Sequence, residues 1–234
     1  MIGMSGGVDS SVAAYLLKEQ GYEVIGVTMK LWQDDEEYDL IENEGGCCSL
    51  EAVEDARAVA DKLGIPFYVL NFKEVFKEKV IDYFIDEYLQ GRTPNPCIWC
   101  NSLIKFDVLP YLAKENGIEF DKFATGHYAR VERGENGRMQ LLKAVDLKKD
   151  QSYFLSRLTQ NQLSSIIFPL GSMTKEDVRK IDVELGFHRV GMDESQDFYG
   201  GDYTDLLDVE DRKGKIVLSD TGKVIGTHNG FWHY

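Results

Sequence analysis

The stretch Ser5-Gly6-Gly7-Val8-Asp9-Ser10-Ser11 stands between a short apolar segment and a segment with helical spacing. Residues 1–4 suit the end of a buried strand, and residues 11–19 place their apolar side chains on or near one helical face. Glycines in such a turn remove Cβ atoms, so backbone N–H groups can face a polyphosphate at the helix N-terminus. Asp9 could hold Mg²⁺ on the phosphates, and we expect its carboxylate to face the ligand rather than the core. The stretch therefore predicts a phosphate-binding loop at the start of an α/β domain.

Strands and helices alternate along the chain outward from this loop. The apolar patterns predict further strands at residues 23–29, 66–70 and 120–124. They predict further helices at residues 49–63, 72–89 and near 102–115. Repeated strand–helix–strand units of this kind predict a doubly wound parallel sheet, Rossmann-like, with helices on both faces.

The C-terminal part of the chain differs from the rest in composition and in its pattern of apolar residues. Residues 193–211 are polar and acidic, and two short apolar segments at 215–218 and 223–227 flank a Ser-Asp-Thr-Gly turn, which predicts a hairpin. We expect one domain over residues 1–190, and a linker with the beginning of a small, truncated β-rich domain over residues 191–234. Because the first strand is short and the chain stops on an aromatic stretch, we also expect a fragment or a shortened gene product.

The composition bounds the class of protein. Of the 234 residues, 43% are hydrophobic and 12% aromatic, which excludes wholesale disorder. No apolar run reaches the ~20 residues of a membrane helix, so we expect no membrane partner. No secretory signal opens the chain, and four cysteines are too few for a disulfide scaffold. These features favour reduced thiols in a cytoplasm.

The net charge of −14 at first argues against a nucleic-acid partner. Residues 34–44 carry seven acidic side chains and residues 193–211 carry eight, and neither window contains Lys or Arg. Without these fifteen acids the net charge changes from −14 to +1. The negative sign of the net charge therefore does not exclude RNA as a binding partner.

A proline-stiffened loop at residues 93–101 contains Cys97 and Cys100. We expect Cys100 at or near the start of the following helix, where the helix dipole stabilises the thiolate that nucleophilic or sulfur-carrying chemistry requires. Three other roles compete: a buried core cysteine, a zinc ligand together with Cys47 and Cys48, and a thioredoxin-like Cys-x-x-Cys pair. A turn around two prolines is a poor place for core, and we favour a chemical role for Cys100.

Two levels of resemblance follow from these motifs. Ser-Gly-Gly-Val-Asp-Ser is similar to the PP-loop of ATP pyrophosphatases, which cleave ATP between the α and β phosphates. The chain also resembles the bacterial tRNA-specific 2-thiouridylase family, through the segments GMSGGVDSS, CCSLEAVEDARAVADKLGIPFYVLNF, GRTPNPCIWCNSLIKF, ATGHYAR, KKDQSYFL and FPLGSMTKEDVRK. This resemblance implies that ATP adenylates the 2-oxygen of the wobble uridine of tRNA and that a persulfide sulfur then displaces AMP.

The same resemblance implies roles for individual residues. Cys100 matches the first catalytic cysteine, and Cys97 is a second catalytic candidate. The implied ATP contacts are Gly3, Met4, Ser5, Gly6, Gly7, Val8, Asp9, Ser10, Met29 and Gly126. The implied tRNA contacts are Asn95, Pro96 and Cys97 to the target base, and Lys149, Asp150 and Gln151. The cofactors implied are ATP and Mg²⁺, and the partners are tRNA and a protein that donates sulfur.

The sequence departs from the family where a second catalytic cysteine, the persulfide carrier, is usual. Tyr199 stands there, and tyrosine cannot carry sulfane sulfur. Cys97 or Cys48 could take the persulfide role and form the resolving disulfide with Cys100. Alternatively, Cys97, Cys100 and Cys48 (or its neighbour) could ligate a [4Fe–4S] cluster with one open iron site. Both hypotheses stay open.

Two further functions compete with tRNA thiolation. An ammonia-dependent ligase of the NAD- or GMP-synthetase type would use the same loop without a reactive cysteine. A non-catalytic nucleotide-binding remnant would bind ATP but release no AMP in the presence of tRNA.

Overall fold

The structure is a computed structural model that describes residues 1–31, 49–189, 199, 203–207 and 209–233. Five parallel strands of the described residues form one sheet, in the order β3-β2-β1-β4-β7. The strands up to β7 are, in chain order, β1 (Ile2–Gly3), β2 (Gly26–Lys30), β3 (Phe67–Asn71), β4 (Phe123–Ala124), β5 (Ala129–Arg133), β6 (Met139–Lys143) and β7 (Ile166–Ile167). The expected doubly wound parallel sheet is confirmed.

Helices cover both faces of this sheet. They are α1 (Val8–Glu19), α2 (Leu50–Leu63), α3 (Lys73–Phe76), α4 (Asp82–Leu89), α5 (Pro96–Trp99), α6 (Leu109–Glu115), α7 (Gln160–Ser165) and α8 (Lys175–Leu185). One buried cluster contains Ile2 and Ala124 with the apolar faces of α1, α2 and α8. A second contains Met1 and Phe123 with those of α4 and α6. Neighbouring residues of one strand thus enter opposite clusters, as the alternation of strand side chains requires.

Several elements differ from their predicted bounds. β2 begins at Gly26, three residues later than expected, and only glycine fits there, since a Cβ would lie 2.7 Å from Met4 Sδ and 2.9 Å from Phe67. The β5–β6 hairpin was missed, since its strands alternate too weakly between apolar and polar residues to stand out. The helix predicted at residues 49–63 is present, but Ser49 is its N-cap and not its first helical residue. The Ser49 side chain accepts a hydrogen bond from the Ala52 N–H.

Two helical stretches contain wide π-type turns. Residues Lys77–Ile81 join α3 to α4, and residues Cys100–Val108 join α5 to α6. The helical stretch that contains α5 and α6 therefore starts at Pro96, well before residue 102, where the sequence predicted its start. Among the described residues, no helix combines the length and apolar character needed to cross a membrane.

The expected C-terminal hairpin is present. β8 (Gly214–Val217) and β9 (Val224–His228) pair antiparallel and form a sheet of two strands. The predicted domain boundary at residue 190 falls on a segment outside the described residues, so the boundary stays a prediction.

Candidate active site

The phosphate loop lies where the strand order of the sheet reverses. β1 pairs with β2 on one side and with β4 on the other, and crevices at such points bind ligands beyond the strand carboxyl ends. The loop leaves β1, and Gly126 follows β4. A Cβ on Gly126 would lie 2.7 Å from both Asp9 C and Ser10 N. Only glycine therefore fits at this position, and it lets the segment after β4 pack against the first turn of α1.

Hydrogen bonds fix the loop from within. The hydroxyl groups of Ser10 and Ser11 each donate to the Gly7 carbonyl at 3.0 Å, and the Ser5 N–H donates to Ser10 Oγ at 3.1 Å. Gly6 has φ +74°, and a Cβ on it would overlap the Ala52 carbonyl of α2. The expected strand–loop–helix unit is present, with Gly3 and Met4 leading into it and Val8 beginning α1.

Asp9 is the charged centre of the loop. Its Oδ1 accepts a hydrogen bond from Lys175 Nζ at 2.7 Å and one from the Tyr128 hydroxyl at 2.8 Å. The Lys175 side chain is 8% exposed and that of Asp9 31%. The carboxylate therefore also neutralises a buried ammonium group, and its role toward the ligand stays a prediction.

Sequence reasoning gave no role to Lys175 or Tyr128, although both lie in segments quoted above. One signal was available for Lys175. It occupies the first turn of α8, directly after the Thr174 cap. A cation there opposes the helix dipole, so it indicates an acidic partner nearby.

The Cys-x-x-Cys segment is itself helical. Asn95 caps α5 by accepting from the Ile98 N–H at 3.1 Å, and Pro96 follows at the first helical position. The first-turn position expected for Cys100 therefore belongs to Cys97. Cys97 is half-buried and Cys100 is buried, and both carry thiols. Asn-Pro was the sequence signal for this earlier helix start.

The expected second-cysteine position, Tyr199, belongs to the same buried cluster as Cys100. Cys100, Met29 and Tyr199 belong to one buried cluster. The next residue, Asn101, donates through Nδ2 to the Phe154 carbonyl at 3.1 Å. Its Oδ1 is buried and has no hydrogen-bond partner among the described residues, so it is an acceptor that a bound group could use.

Two of the predicted tRNA contacts at residues 149–151, Asp150 and Gln151, form hydrogen bonds within the protein. Asp150 accepts hydrogen bonds from the Ala144 N–H at 2.9 Å and the Ser152 hydroxyl at 2.7 Å. Gln151 Oε1 accepts from the Tyr128 N–H at 2.9 Å. These two side chains hold the turn in place, which leaves Lys149 as the member of the segment with a phosphate-pairing charge.

His127 is a base that the protein keeps neutral. Its ring lies 5.9 Å from that of Phe106 and 6.1 Å from that of Phe168, measured between centroids. Nδ1 is 2.8 Å from Thr125 Oγ1. Burial, and secondly the charge of Lys105, lower the pKa of His127 to about 3. Near neutral pH the ring is therefore uncharged.

This lowered pKa predicts acid sensitivity. The unfolded chain takes up a proton at His127 below its ordinary pKa of 6.5, whereas the folded protein does so only near pH 3. As pH falls through that window, the free energy of unfolding loses up to about 1.4 kcal/mol per pH unit. We expect His127→Asn to lower the free energy of unfolding at neutral pH, because packing is lost. As the pH falls, however, the free energy of unfolding of this variant should decrease less steeply than that of the wild type. Urea unfolding between about pH 4 and 7 measures both effects. If the free energy of unfolding had the same slope against pH in the variant and the wild type, the prediction would be contradicted.

Metal ligands are sparse in the described part of the chain. No group of three or more His, Cys, Asp or Glu side chains there could hold a metal ion. Cys48, the third ligand of the cluster hypothesis, lies outside that part, as does Cys47. Mg²⁺ needs less from a protein, because phosphates and waters supply most of its ligands, and the loop carboxylate of Asp9 fits that mode.

Residues 1–199 match the family model described as the tRNA methyl transferase HUP domain. The chain belongs to this family. The tRNA-specific 2-thiouridylase MnmA of Clostridioides difficile (strain 630) is 56% identical over 241 residues, covering 100% of this chain and 65% of that protein. The protein of the same name from Clostridium perfringens (strain 13 / Type A) is 53% identical and 66% covered. The resemblance seen in the sequence is confirmed.

The HUP-domain match places the sheet, the phosphate loop and the Cys-x-x-Cys helix in one family domain. This chain spans about 65% of the length of the curated relatives it matches. Among solved structures, the predicted subunit of a tRNA methyltransferase from Methanocaldococcus jannaschii aligns with a TM-score of 0.41 and 17% identity. That alignment covers 78% of this chain and 73% of the other.

Proposed function

We propose that the protein uses ATP to replace the 2-oxygen of the wobble uridine of tRNA by sulfur. In the first step the 2-oxygen attacks the α-phosphorus and pyrophosphate leaves. In the second step a sulfur nucleophile attacks carbon 2 and AMP leaves. The named relatives, tRNA-specific 2-thiouridylases, support this reaction.

One observation carries the proposal: a short bridge ties the phosphate loop to the helix that bears Cys100. Tyr128, which bonds the loop carboxylate, forms two backbone-anchored hydrogen bonds with Gln151, both of 2.9 Å. Three residues later, the Phe154 carbonyl accepts from Asn101, next to Cys100. Three residues span at most about 10 Å. If the loop binds ATP and Cys100 handles sulfur, this segment would connect the two parts of the reaction.

The ATP end of the site is built for a polyphosphate. Loop N–H groups and the α1 N-terminus favour negative charge, and Lys175 adds a cation beside Asp9. Asp9 would hold Mg²⁺, which neutralises the phosphates when bound. The family contacts of Met29 and Gly126 would complete the nucleotide site; the Met29 side chain is 6% exposed.

Cys100 would carry or receive the sulfur, and Cys97 would be its second thiol. Thiolates are the nucleophiles that this chemistry needs. In the alternative hypothesis Cys97, Cys100 and Cys48 would ligate a [4Fe–4S] cluster, which supplies an iron site for sulfide when bound. Whichever route operates, the second thiol is not at position 199.

The remaining partners follow from the substrates. Asn95, Pro96 and Cys97 would contact the target base, and Lys149 a phosphate of the tRNA. A cytoplasmic protein that donates persulfide or sulfide would supply the sulfur, in a compartment that keeps thiols reduced.

Mass spectrometry of tRNA nucleosides tests the proposal. Protein purified without air, incubated with unmodified tRNA, ATP, Mg²⁺ and a sulfide source, should form 2-thiouridine and one AMP per thiolated base. Omitting ATP is the control and should leave the uridine unmodified. AMP release that depends on ammonia rather than tRNA would instead indicate the ligase, and ATP binding without AMP release would indicate the remnant.

A further inference from the structure

His188 contacts the phosphate loop at a different residue from Asp9. It follows the C-terminal end of α8, and its side chain is 2% exposed. Nε2 lies 2.9 Å from the Gly6 carbonyl oxygen, and Nδ1 lies 2.6 Å from Asp182 Oδ1. The Asp182 side chain is 6% exposed, so this contact between α8 and the loop is shielded from water.

The partners of His188 define where its protons sit. A backbone carbonyl can only accept, so the contact with Gly6 requires a hydrogen on Nε2. Ser11 Oγ is 3.5 Å from Nε2, but its hydroxyl donates to the Gly7 carbonyl. The Asp182 carboxyl group bonds the other ring nitrogen, Nδ1. Lys62 of α2 donates to the carbonyls of Leu185 and Gly186 at the end of α8.

The bond from His188 sets the direction of a loop N–H group. Gly6 and Gly7 share a planar trans peptide, in which C=O and N–H point in opposite directions. When the Gly6 carbonyl is held against His188, the Gly7 N–H points away from it. Gly6 has φ +74°, and glycine peptides there turn over easily unless they are held. A turned-over peptide would present the carbonyl oxygen, and not an N–H group, to an anion.

We propose that His188, held by Asp182, is a positioning residue that aims the Gly7 N–H at the phosphates of ATP. The proposal rests on the ATP site of the proposed function. His188 does not touch ATP in this arrangement, because its two ring nitrogens are engaged with Gly6 and Asp182. The ring acts through the orientation of one peptide group.

Two substitutions at His188 separate this role from a merely structural one. The amide nitrogen of His188→Gln replaces Nε2, so it keeps the donor to Gly6 and leaves the Asp182 carboxylate buried without its partner. The amide nitrogen of His188→Asn replaces Nδ1, so it keeps the Asp182 partner and loses the donor to Gly6. We expect the Gln variant to have the lower Tm and the Asn variant to have the weaker affinity for ATP, by about tenfold.

Calorimetric titration of the full chain with ATP and Mg²⁺, beside thermal unfolding, gives both quantities. Asp182→Asn is the second variant: its amide can donate to Nδ1 and keep the proton on Nε2, so ATP affinity should stay within about threefold of wild type. An ATP affinity that follows Tm across the variants, or an Asn variant that binds ATP as the wild type does, would overturn the role of His188. Failure of the wild-type chain to bind ATP would overturn the proposed function itself, and the inference with it.

Discussion

Replacing Lys175 by Met is expected to lower tRNA-dependent AMP formation by about 100-fold or more. The ammonium lies 2.7 Å from Asp9 at the start of α1, where the triphosphate would accumulate charge during adenylation. Met has nearly the same length and no charge, so the substitution removes the cation with little change in volume. The rate of AMP release, measured with saturating tRNA, reports the effect.

The stability of the same variants provides the control. A buried lysine replaced by an apolar side chain is expected to fold, whereas Asp9→Ala leaves the Lys175 ammonium without this carboxylate and should cost about 2 kcal/mol. Tyr128→Phe is the matched variant: it removes one hydrogen bond to Asp9 and keeps the ion pair, so we expect a loss of activity of only a few-fold. If Lys175→Met loses activity only in proportion to its stability, the cation has no direct part in adenylation.

The sequence predicted the features that depend on neighbouring residues. The phosphate loop, α2 and the β8–β9 hairpin each have their glycines, caps and apolar residues within a few positions of one another. The parallel sheet followed from the repetition of such units, since parallel strands require a crossover between them.

The partners of the loop were beyond sequence reasoning because they come from distant parts of the chain. Lys175 is 166 residues from Asp9, and His188 is 182 residues from Gly6. No local pattern pairs such positions, and they meet only because α8 packs on α1 beside the sheet. The early start of the Cys97 helix, in contrast, was readable from Asn95-Pro96 and was missed.

Cys100→Ser is expected to end thiolation, with 2-thiouridine falling about 1,000-fold. A serine hydroxyl cannot carry sulfane sulfur and is a far weaker nucleophile than a thiolate. ATP should still bind, because the side chains that hydrogen-bond the phosphate loop from elsewhere in the described chain, as given above, are Tyr128, Lys175 and His188. Nucleoside mass spectrometry and ATP titration of the same preparation measure the two effects. Thiolation that survives in Cys100→Ser would refute the assignment of this residue.

Cys97 then separates the two routes for sulfur. Cβ atoms three residues apart on a helix lie about 5–6 Å apart, whereas a disulfide needs about 3.5–4.5 Å. A Cys97–Cys100 disulfide therefore requires the turn that begins at Asn95 to shift, and a strained bond of this kind is readily reduced again. In the relay, the protein is colourless and mass mapping after one turnover in air finds Cys100 joined to Cys97 or Cys48. In the cluster hypothesis, the purified protein is brown and Cys97→Ala bleaches it.

Tyr199 offers a gain-of-function test of the relay. It is 7% exposed and lies in the same buried cluster as Cys100, at the position where the resemblance noted in the sequence implies a persulfide cysteine. If a second thiol near Cys100 is what the relay needs, Tyr199→Cys should restore at least one tenth of the thiolation lost in Cys97→Ala. Tyr199→Ser is the matched control, because it opens a similar cavity without a thiol and should restore nothing. Under the cluster hypothesis neither substitution restores activity, since a thiol at position 199 does not replace the iron ligand lost with Cys97.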